Sequence, residues 1–368
     1  MSEPQPLQFV GENEVRLRRR TLLYFSGCDY FRLARHPRLV AAAKKSLREH
    51  GLNVAASRRT TGNHKIYAQL EKELAGFFGA EAALVLPDGY LAPIAVAQAL
   101  AGEFTHALLD EFAHGALVDA ARMPGCPVKK FRHRNVADLT RVLARCGRDA
   151  RPLLLTDGMF AHDGSVAPLR AYLKVLPSPG KILVDDAHGA GVLGRNGRGS
   201  PEHAGVSRKR IVQCATLSKA FGAYGGVVLG SRELREKILA RSRSFTGTTP
   251  LPPPLAGAAL AALKILRSEP GWRKRLFQNL SLVRKKLRAA GWEILDTPGP
   301  VVRLPLMPEE KVGKLKECLL AAGIYPPFLK YSTASARGIF RFVISSEHSR
   351  AQLNRLIAVL AGFNTRCG

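Results

Sequence analysis

The sequence lacks the patterns that mark secreted, zinc-binding and membrane-spanning proteins. Its six cysteines include no CxxC pair and have no histidine at metal-ligand spacing, so we interpret them as reduced and mostly structural. No apolar run approaches the roughly 18 to 20 residues that a membrane helix requires. The polar residues 1–6 do not have the pattern of a signal peptide. We therefore expect a cytoplasmic protein with neither a membrane span nor a metal site.

Acidic residues are scarce: 29 Asp and Glu stand against 56 Lys and Arg, which gives a formal net charge of +27. This balance would suit a nucleic-acid-binding protein, but the basic residues are dispersed and no recognition motif accompanies them. We interpret most of the excess as a solvated surface. The alternative is an anionic partner, namely a phosphorylated cofactor, an acidic carrier protein or RNA. The hydrophobic share of 46% is that of a globular chain rather than a disordered one.

What the sequence does contain is a regular alternation of apolar runs and amphipathic helical patterns. This alternation predicts an α/β fold with a mostly parallel sheet covered by helices on both faces. The predicted strands are residues 83–86, 105–109, 128–131, 152–156, 182–185, 211–215 and 226–229. The predicted helices between them are residues 37–50, 66–78, 93–101, 116–123, 136–145 and 231–241.

A proline-rich break at residues 250–254 separates this alternation from a long helical pattern at residues 255–268 and 271–290. Beyond it the sequence predicts a smaller α+β unit. Its elements are strands at 301–305 and 338–345 and helices at 309–322 and 349–363. We therefore divide the chain into an N-terminal segment (1–50), a large domain (51–250) and a linking helix with a small C-terminal domain (251–368).

Asp185, Asp186 and His188 directly follow a predicted strand. The carboxyl ends of parallel strands form the edge where open α/β sheets bind ligands, so these side chains are candidate ligand groups. The alternative is that they only cap a turn. The glycines that follow have GxGxxG spacing, which resembles a dinucleotide fingerprint, but no helix pattern opens on the third glycine. We therefore give a nicotinamide cofactor little weight.

Lys219 follows the next predicted strand in the run T-L-S-K-A-F-G-A-Y-G-G. It is flanked by Leu217 and Phe221, and partial desolvation there would favour the neutral amine that forms a Schiff base. A lysine that snorkels from a sheet edge is the alternative. The glycine-rich return indicates a close backbone approach to a ligand.

Two more strand ends carry candidate groups. In the run L-P-D-G-Y-L-A-P at residues 86–93, a strand, a glycine turn and a helix follow one another, and the amides of such a helix start suit a phosphate. Most junctions of this kind bind nothing. His114 follows a different strand and could lie flat on an aromatic ligand, although a buried, hydrogen-bonded histidine is the alternative.

Taken in order, these segments resemble the α-oxoamine synthase family of pyridoxal-phosphate enzymes over residues 24–363. The matching motifs are S-R-x-x-T-G with L-E at 57–71, D-G-M-F-A-H-D-G with A-P-L at 157–169, V-D-D-A-H-G with G-V-L-G and R-G at 184–199, T-L-S-K at 216–219, and F-T-G-T-T-P at 245–250. The resemblance implies a fold-type-I transferase with a seven-stranded sheet. It also implies pyridoxal 5'-phosphate as the cofactor.

The resemblance assigns the catalytic roles to Lys219, His114 and Asp185. Lys219 would bind the cofactor covalently and then act as the general acid and base at the amino-acid α-carbon. Asp185 would pair with the pyridinium nitrogen and keep it protonated. His188 would hydrogen-bond the phenolic oxygen of the cofactor, and His114 would stack on its ring.

The family's phosphate contacts map to five residues. Gly89 and Tyr90 match positions near the phosphate, and Thr216 would bind it. Thr248 and Thr249 match a stretch that contributes phosphate contacts from the neighbouring subunit. The resemblance therefore implies a homodimer.

Two arginines are the predicted substrate residues. Arg341 matches the arginine that holds the amino-acid carboxylate, a group that a guanidinium can bind through two hydrogen bonds. Arg58 belongs to the S-R motif. The chain departs from the family at Ala161, where a serine is usual, at Asp157, where a glutamate is usual, and at Arg32, where a glycine is usual.

The implied reaction is a decarboxylating condensation of a small amino acid, alanine or glycine, with an acyl thioester to give an α-amino ketone, as in 8-amino-7-oxononanoate synthase. The acyl donor would be a CoA or carrier-protein thioester. Alternatives within the family are glycine C-acetyltransferase and serine palmitoyltransferase activity. Two others lie outside it: an aminotransferase on the same fold, and a cofactor-free basic binding protein. Nucleic acid is not the partner we predict.

Overall fold

The computed structural model describes residues 5–331 and 335–367. These residues form two compact units. The larger unit consists of His36–Phe160 and Ser165–Glu269. The smaller unit consists of the described residues up to Arg35, the segment Ala161–Gly164 and the described residues from Pro270 onward. The domain boundaries at residues 50 and 250 stay a prediction; in the structure, the helices next to both positions belong to the larger unit.

Strands and helices alternate along most of the chain. The strands are β1 (Gln8–Phe9), β2 (Glu14–Leu17), β3 (Arg20–Leu23), β4 (Ala82–Leu86), β5 (His106–Asp110), β6 (Val128–Phe131), β7 (Pro152–Asp157), β8 (Lys181–Asp185), β9 (Ile211–Thr216), β10 (Gly226–Gly230), β11 (Val301–Arg303), β12 (Phe328–Tyr331) and β13 (Ser335–Val343). The α-helices are α1 (Pro37–His50), α2 (Lys65–Phe78), α3 (Leu91–Ala99), α4 (Gly115–Ala120), α5 (Val136–Ala144), α6 (Leu169–Val175), α7 (Ser200–His203), α8 (Arg232–Arg241), α9 (Arg243–Thr246), α10 (Pro253–Ser268), α11 (Gly271–Ala289), α12 (Glu309–Ala321) and α13 (Arg350–Cys367).

The larger unit contains a seven-stranded sheet in the order β4-β10-β9-β8-β7-β5-β6. Strands β5 to β9 pair in parallel, and β10 runs antiparallel to both of its neighbours, β9 and β4. The predicted seven-stranded, mostly parallel sheet is therefore confirmed, and each predicted strand overlaps an observed one.

Both faces of this sheet are covered, which explains why its strands are apolar runs in the sequence. Leu109 and Leu155 belong to one core cluster, with side chains of α3, α4 and α8. Leu108 and Leu154, their neighbours in the strands, belong to another cluster, with side chains of α5 and α6. Because successive residues of a strand point to opposite faces, the two clusters are the cores of the two faces.

The smaller unit contains two three-stranded antiparallel sheets, in the orders β1-β2-β3 and β11-β13-β12. A parallel bridge between Leu23 and Ile324 joins the last residue of β3 to the residues after α12. Apolar side chains of α11, α12, α13 and β13 form the core of this unit.

Several short elements were not predicted: β1 to β3, β12, α6, α7 and α9. Strands β2 and β3 lie in an arginine-rich stretch, with Val15, Leu22 and Leu23 as their buried apolar residues, so the apolar alternation is weak. Helices α7 and α9 have four residues each, too few for a helical periodicity. Across residues 5–331 and 335–367, the structure has no helix with the length and apolarity needed to cross a membrane.

Candidate active site

The candidate site lies at the carboxyl edge of the seven-stranded sheet. Gly89 and His114 follow β4 and β5, while Asp157, Asp185 and Thr216 end β7, β8 and β9. Since parallel strands end at the same edge, the fold gathers groups that lie far apart in the sequence. Asp157 and Asp185 are direct partners in the register of β7 and β8.

Lys219 contacts His188 at the centre of this edge. The distance between Lys219 Nζ and His188 Nε2 is 2.9 Å. The loop that carries the lysine is closed by its own main chain: Leu217 N donates to Gly225 O, and Gly222 N donates to Lys219 O. Gly222 and Gly225 have φ values of +59° and +111°, which glycine adopts without strain. The half-buried lysine amine is therefore held against an imidazole rather than displayed to solvent.

Asp185 and Asp157 form a buried carboxyl pair beside this lysine. Their residues are 6% and 5% exposed. Asp185 accepts a hydrogen bond from Ala187 N, and Asp157 accepts one of 2.8 Å from His114 N. Burial, and then the neighbouring Asp185 carboxylate, raise the pKa of Asp157 well above its usual value. Such a pair attracts a cationic group, for example a protonated ring nitrogen.

A tight cradle of small residues lies at the start of α3. A Cβ atom at Gly89 would lie 2.8 Å from Thr216 Cβ and 2.9 Å from its Oγ1. A Cβ atom at Gly226 would lie 2.3 Å from Asp88 O. Only glycine fits at these two positions, so the turn that begins α3 packs closely against the ends of β9 and β10. A phosphate group fits such a cradle because amide N–H groups and a threonine hydroxyl donate to its oxygens.

His114 caps α4 and is exposed at this edge. Its Nδ1 accepts a hydrogen bond from Ala116 N, and its ring contacts Tyr90 edge-on with 6.0 Å between the centroids. The alternative of a buried histidine is therefore wrong. One face of the imidazole can stack on a planar ligand.

Asp186 is buried, and its side chain binds residues that hold the loop after β8 rather than Lys219. Its Oδ2 accepts hydrogen bonds from Ser200 N at 2.8 Å and Gln213 Nε2 at 2.6 Å. Burial raises the pKa of this carboxyl to about 7. The turn-cap alternative holds for Asp186, which fastens the loop that carries His188.

Arg58 lies inside the larger unit in a buried ion pair. Its guanidinium is 2.5 Å from Glu71 Oε1, and these side chains are 5% and 7% exposed. It also packs over the rings of Tyr67 and Phe245. These internal contacts engage the guanidinium, and its role toward substrate stays a prediction.

Thr248 donates a hydrogen bond to Ser244 O within its own chain, and Thr249 is exposed. Their predicted contact with the phosphate of a neighbouring subunit also stays a prediction.

Arg341 belongs to the smaller unit, where it is 2% exposed. Its Nε donates to Ala161 O, and its Nη2 lies 3.7 Å from Cys28 Sγ. Sequence reasoning had noted Ala161 only as a missing hydroxyl. In the structure the main chain at this position holds the arginine, and that contact does not depend on the side chain.

Asp157 is a candidate site residue that the sequence analysis does not assign a role. The sequence shows it as a replacement for a glutamate, at the end of the predicted strand before the one that ends at Asp185. Two neighbouring strands that end in acids were the signal that could have revealed the pair.

The sheet and its edge define a class: a fold-type-I transferase that uses pyridoxal 5'-phosphate. Residues 20–360 match the family model described as aminotransferase class I and II. The chain belongs to this family and, within it, to the α-oxoamine synthases.

Relatives and solved structures agree on this assignment. The chain is 36% identical to 8-amino-7-oxononanoate synthase of Thioalkalivibrio sulfidiphilus over 93% of its own length and 88% of that protein. It is 36% identical to the same enzyme of Hahella chejuensis, over 94% and 88%. It resembles serine palmitoyltransferase of S. paucimobilis with bound PLP-myriocin, with a TM-score of 0.92, 25% identity and coverage of 99% and 94%. Against 8-amino-7-oxononanoate synthase of Francisella tularensis the TM-score is 0.81, with 25% identity and coverage of 94% and 98%.

These comparisons confirm the predicted family, fold class, enzyme class and cofactor. The relatives' names also agree with the predicted function. The chain's own residues fit the cofactor. The Gly89 main chain brings the Thr216 hydroxyl next to the start of α3, where amides and a hydroxyl suit a phosphate, and Asp185 lies buried at the same edge as Lys219.

Proposed function

We propose that this enzyme condenses a small amino acid, alanine or glycine, with an acyl thioester, releases carbon dioxide and forms an α-amino ketone, as in 8-amino-7-oxononanoate synthase. The observation that carries the proposal is the 2.9 Å contact between Lys219 Nζ and His188 Nε2 at the sheet edge. The bound cofactor supplies an electron sink for the charge that develops at the amino-acid α-carbon.

The chain's own groups hold that cofactor and move the proton. Lys219 Nζ, which lies 2.9 Å from His188 Nε2, removes the proton from the amino-acid α-carbon. Asp185 would pair with the ring nitrogen of the bound cofactor and favour its protonated form, and His188 would hydrogen-bond the phenolic oxygen. His114 would stack on one face of the ring.

Substrate recognition is the second part of the proposal. Arg341 binds the amino-acid carboxylate, and Arg58 remains a predicted substrate residue. The thioester is carried by CoA or by an acyl carrier protein, and the excess positive charge attracts either anionic carrier. A homodimer and a cytoplasmic location complete the proposal.

The test is a reconstitution followed by a product assay. Purified protein is incubated with pyridoxal phosphate, and the visible absorbance of lysine-bound cofactor is recorded for wild type, Lys219→Ala and the control Lys209→Ala, an exposed lysine of the same unit. We expect the band in wild type and the control only. Carbon dioxide release is then measured with alanine, glycine or serine and a series of acyl-CoA thioesters.

Carbon dioxide release that requires both substrates and Lys219 supports the proposal. Conversion of the amino acid to a keto acid without carbon dioxide release would instead identify an aminotransferase. Serine palmitoyltransferase-like activity is a second candidate, because serine palmitoyltransferase structures match 99% of the chain at TM-scores of 0.91 and 0.92. Turnover with serine and a long-chain thioester, and none with alanine or glycine, would favour it.

A further inference from the structure

An acidic side chain lies at the cradle where the larger unit would hold a phosphate. Asp88 Oδ1 accepts a hydrogen bond of 2.6 Å from Tyr90 N, one of the first amides of the α3 turn. Its other oxygen, Oδ2, accepts a hydrogen bond of 3.1 Å from the Tyr224 hydroxyl. The carboxylate thus binds the main-chain amide of a residue that the resemblance places near the cofactor phosphate.

The main chain around Asp88 has no room to move aside. Gly226 pairs with Leu86 in the register of β10 and β4, and a Cβ at Gly226 would lie 2.3 Å from Asp88 O. Gly89 is packed equally tightly against Thr216. A ligand that binds the Tyr90 amide must therefore displace the Asp88 carboxylate, and rotation of that side chain achieves this without disturbing the packed main chain.

Two tyrosine hydroxyls near this turn donate hydrogen bonds to carboxylates: Tyr224 to Asp88 and Tyr90 to Asp119. The hydrogen bond to Asp88, followed by the charge of Asp88, raises the pKa of the Tyr224 hydroxyl. The hydrogen bond to Asp119 raises the pKa of the Tyr90 hydroxyl in the same way. Tyr224 can therefore hold the Asp88 carboxylate as an uncharged donor after that carboxylate has left the amide.

We propose that Asp88 regulates cofactor loading: its carboxylate competes with the cofactor phosphate for the Tyr90 amide, and Tyr224 retains the displaced carboxylate. The inference rests on the proposed function, since it concerns the same cofactor site. A phosphate dianion at the Tyr90 amide would lie next to the Asp88 carboxylate, and the two negative charges repel each other. The apoenzyme therefore binds its cofactor more weakly than a protein with an uncharged side chain at residue 88 would. Occupancy then depends on the cofactor concentration around the protein.

The experiment titrates apoenzyme with pyridoxal phosphate and follows the absorbance of lysine-bound cofactor. Asp88→Asn keeps the shape and an acceptor oxygen but removes the charge, and we expect its Kd for the cofactor to fall by about tenfold. Asp296→Asn removes an exposed charge in the smaller unit and should leave the Kd unchanged. An Asp88→Asn Kd equal to or above that of wild type would overturn the proposal.

The role of Tyr224 is tested by a double-mutant cycle. Tyr224→Phe should weaken loading in the wild-type background by a few fold and have no effect in the Asp88→Asn background, because the displaced charge is then gone. An equal effect in both backgrounds would show that Tyr224 does not act through Asp88.

A second probe separates this inference from the proposed function. Inorganic phosphate is titrated into the same apoproteins by calorimetry, with Gly89→Ala as the variant whose cradle is filled. Tighter phosphate binding by Asp88→Asn that disappears in the Gly89→Ala, Asp88→Asn double variant supports the competition, even if no variant forms the visible band and the proposed function fails. Equal phosphate binding by wild type and Asp88→Asn overturns the competition, even if the band forms normally.

Discussion

The two units differ in where their buried charged residues lie and in what those residues contact. The larger unit buries acids where strands end, namely Asp110, Asp157, Asp185 and Asp186. The smaller unit buries three arginines, namely Arg32, Arg284 and Arg341, together with one acid, Asp163. The buried acids lie at a sheet edge, where we propose that they bind a cationic ring, whereas the buried arginines donate to carbonyl oxygens of the smaller unit itself. Removing a charge from water is costly in both units, and in the smaller unit hydrogen bonds to the main chain offset that cost.

The largest expected effect is a loss of stability when Arg284, which binds main-chain carbonyl groups of the smaller unit, is replaced. Its guanidinium donates to Thr297 O, Gly299 O and Val301 O. Arg284→Met should lower the free energy of unfolding by about 3 to 5 kcal/mol, because these carbonyl groups lose a charged donor. The matched control is Arg288→Met, whose side chain is 41% exposed and which should cost less than about 1 kcal/mol. Equal losses in urea unfolding would show that burial of arginine does not fix this segment.

The next effect uses the buried His348 of the smaller unit. Burial, and then the charge of Arg32, lower the pKa of His348 to about 3. Below the unfolded pKa of about 6.5, the unfolded chain takes up a proton that the folded chain refuses, so stability falls as the pH falls. We expect a loss of about 2 kcal/mol between pH 6.5 and pH 5 relative to His348→Asn, which cannot take up that proton. Parallel pH profiles of the two proteins would contradict the buried, neutral histidine.

Asp186 of the larger unit should give the opposite pH dependence of the free energy of unfolding. Its folded pKa of about 7 lies above the unfolded value of 3.8, so the unfolded chain releases its proton first as the pH rises. Stability should therefore fall by about 1.4 kcal/mol between pH 5 and pH 6 relative to Asp186→Asn. Unfolding curves of both proteins at these two pH values measure the difference. A slope of the other sign would mean that Asp186 is ionised and paired in the folded protein.

The smallest expected effect is the salt dependence of kcat/KM, which tests the role of the excess basic residues on the surface. If the excess of basic residues attracts an anionic thioester, kcat/KM for that substrate should fall roughly twofold to fivefold between about 50 mM and 500 mM NaCl. The KM for a neutral amino acid serves as the control and should change little. A kcat/KM that does not change with salt would show that the excess positive charge does not attract the thioester and is only a solvated surface.

The sequence predicted the sheet well because both of its faces are covered. A strand such as β7, whose residues are all buried, is an apolar run that stands out from the flanking helices. The hairpin of β1 to β3 escaped prediction because its arginine-rich residues do not alternate clearly between apolar and polar. The pairing of Arg58 with Glu71 was equally invisible, since a spacing of 13 residues carries no local periodicity.

The residues of the candidate site also fall into two groups: those that local sequence motifs reveal and those whose surroundings depend on strand pairing. Lys219, Asp185 and His188 could be found because a resemblance of ordered motifs assigns their roles. Asp157 left only one signal, an acid at the end of the strand before β8, and Asp88 left none, because the surroundings of both depend on which strands become neighbours. Their importance comes from the register of β7 with β8 and of β4 with β10.

The reversed direction of β10 has a mechanical consequence for the lysine. Because β10 runs back beside β9, the loop at residues 217–225 is a short tether between two paired strands rather than a long crossover. Hydrogen bonds from Leu217 N to Gly225 O and from Ala223 N to Leu217 O stiffen that tether. The backbone at Lys219 is therefore anchored, and its amine can travel only as far as rotation about its own methylene carbons allows.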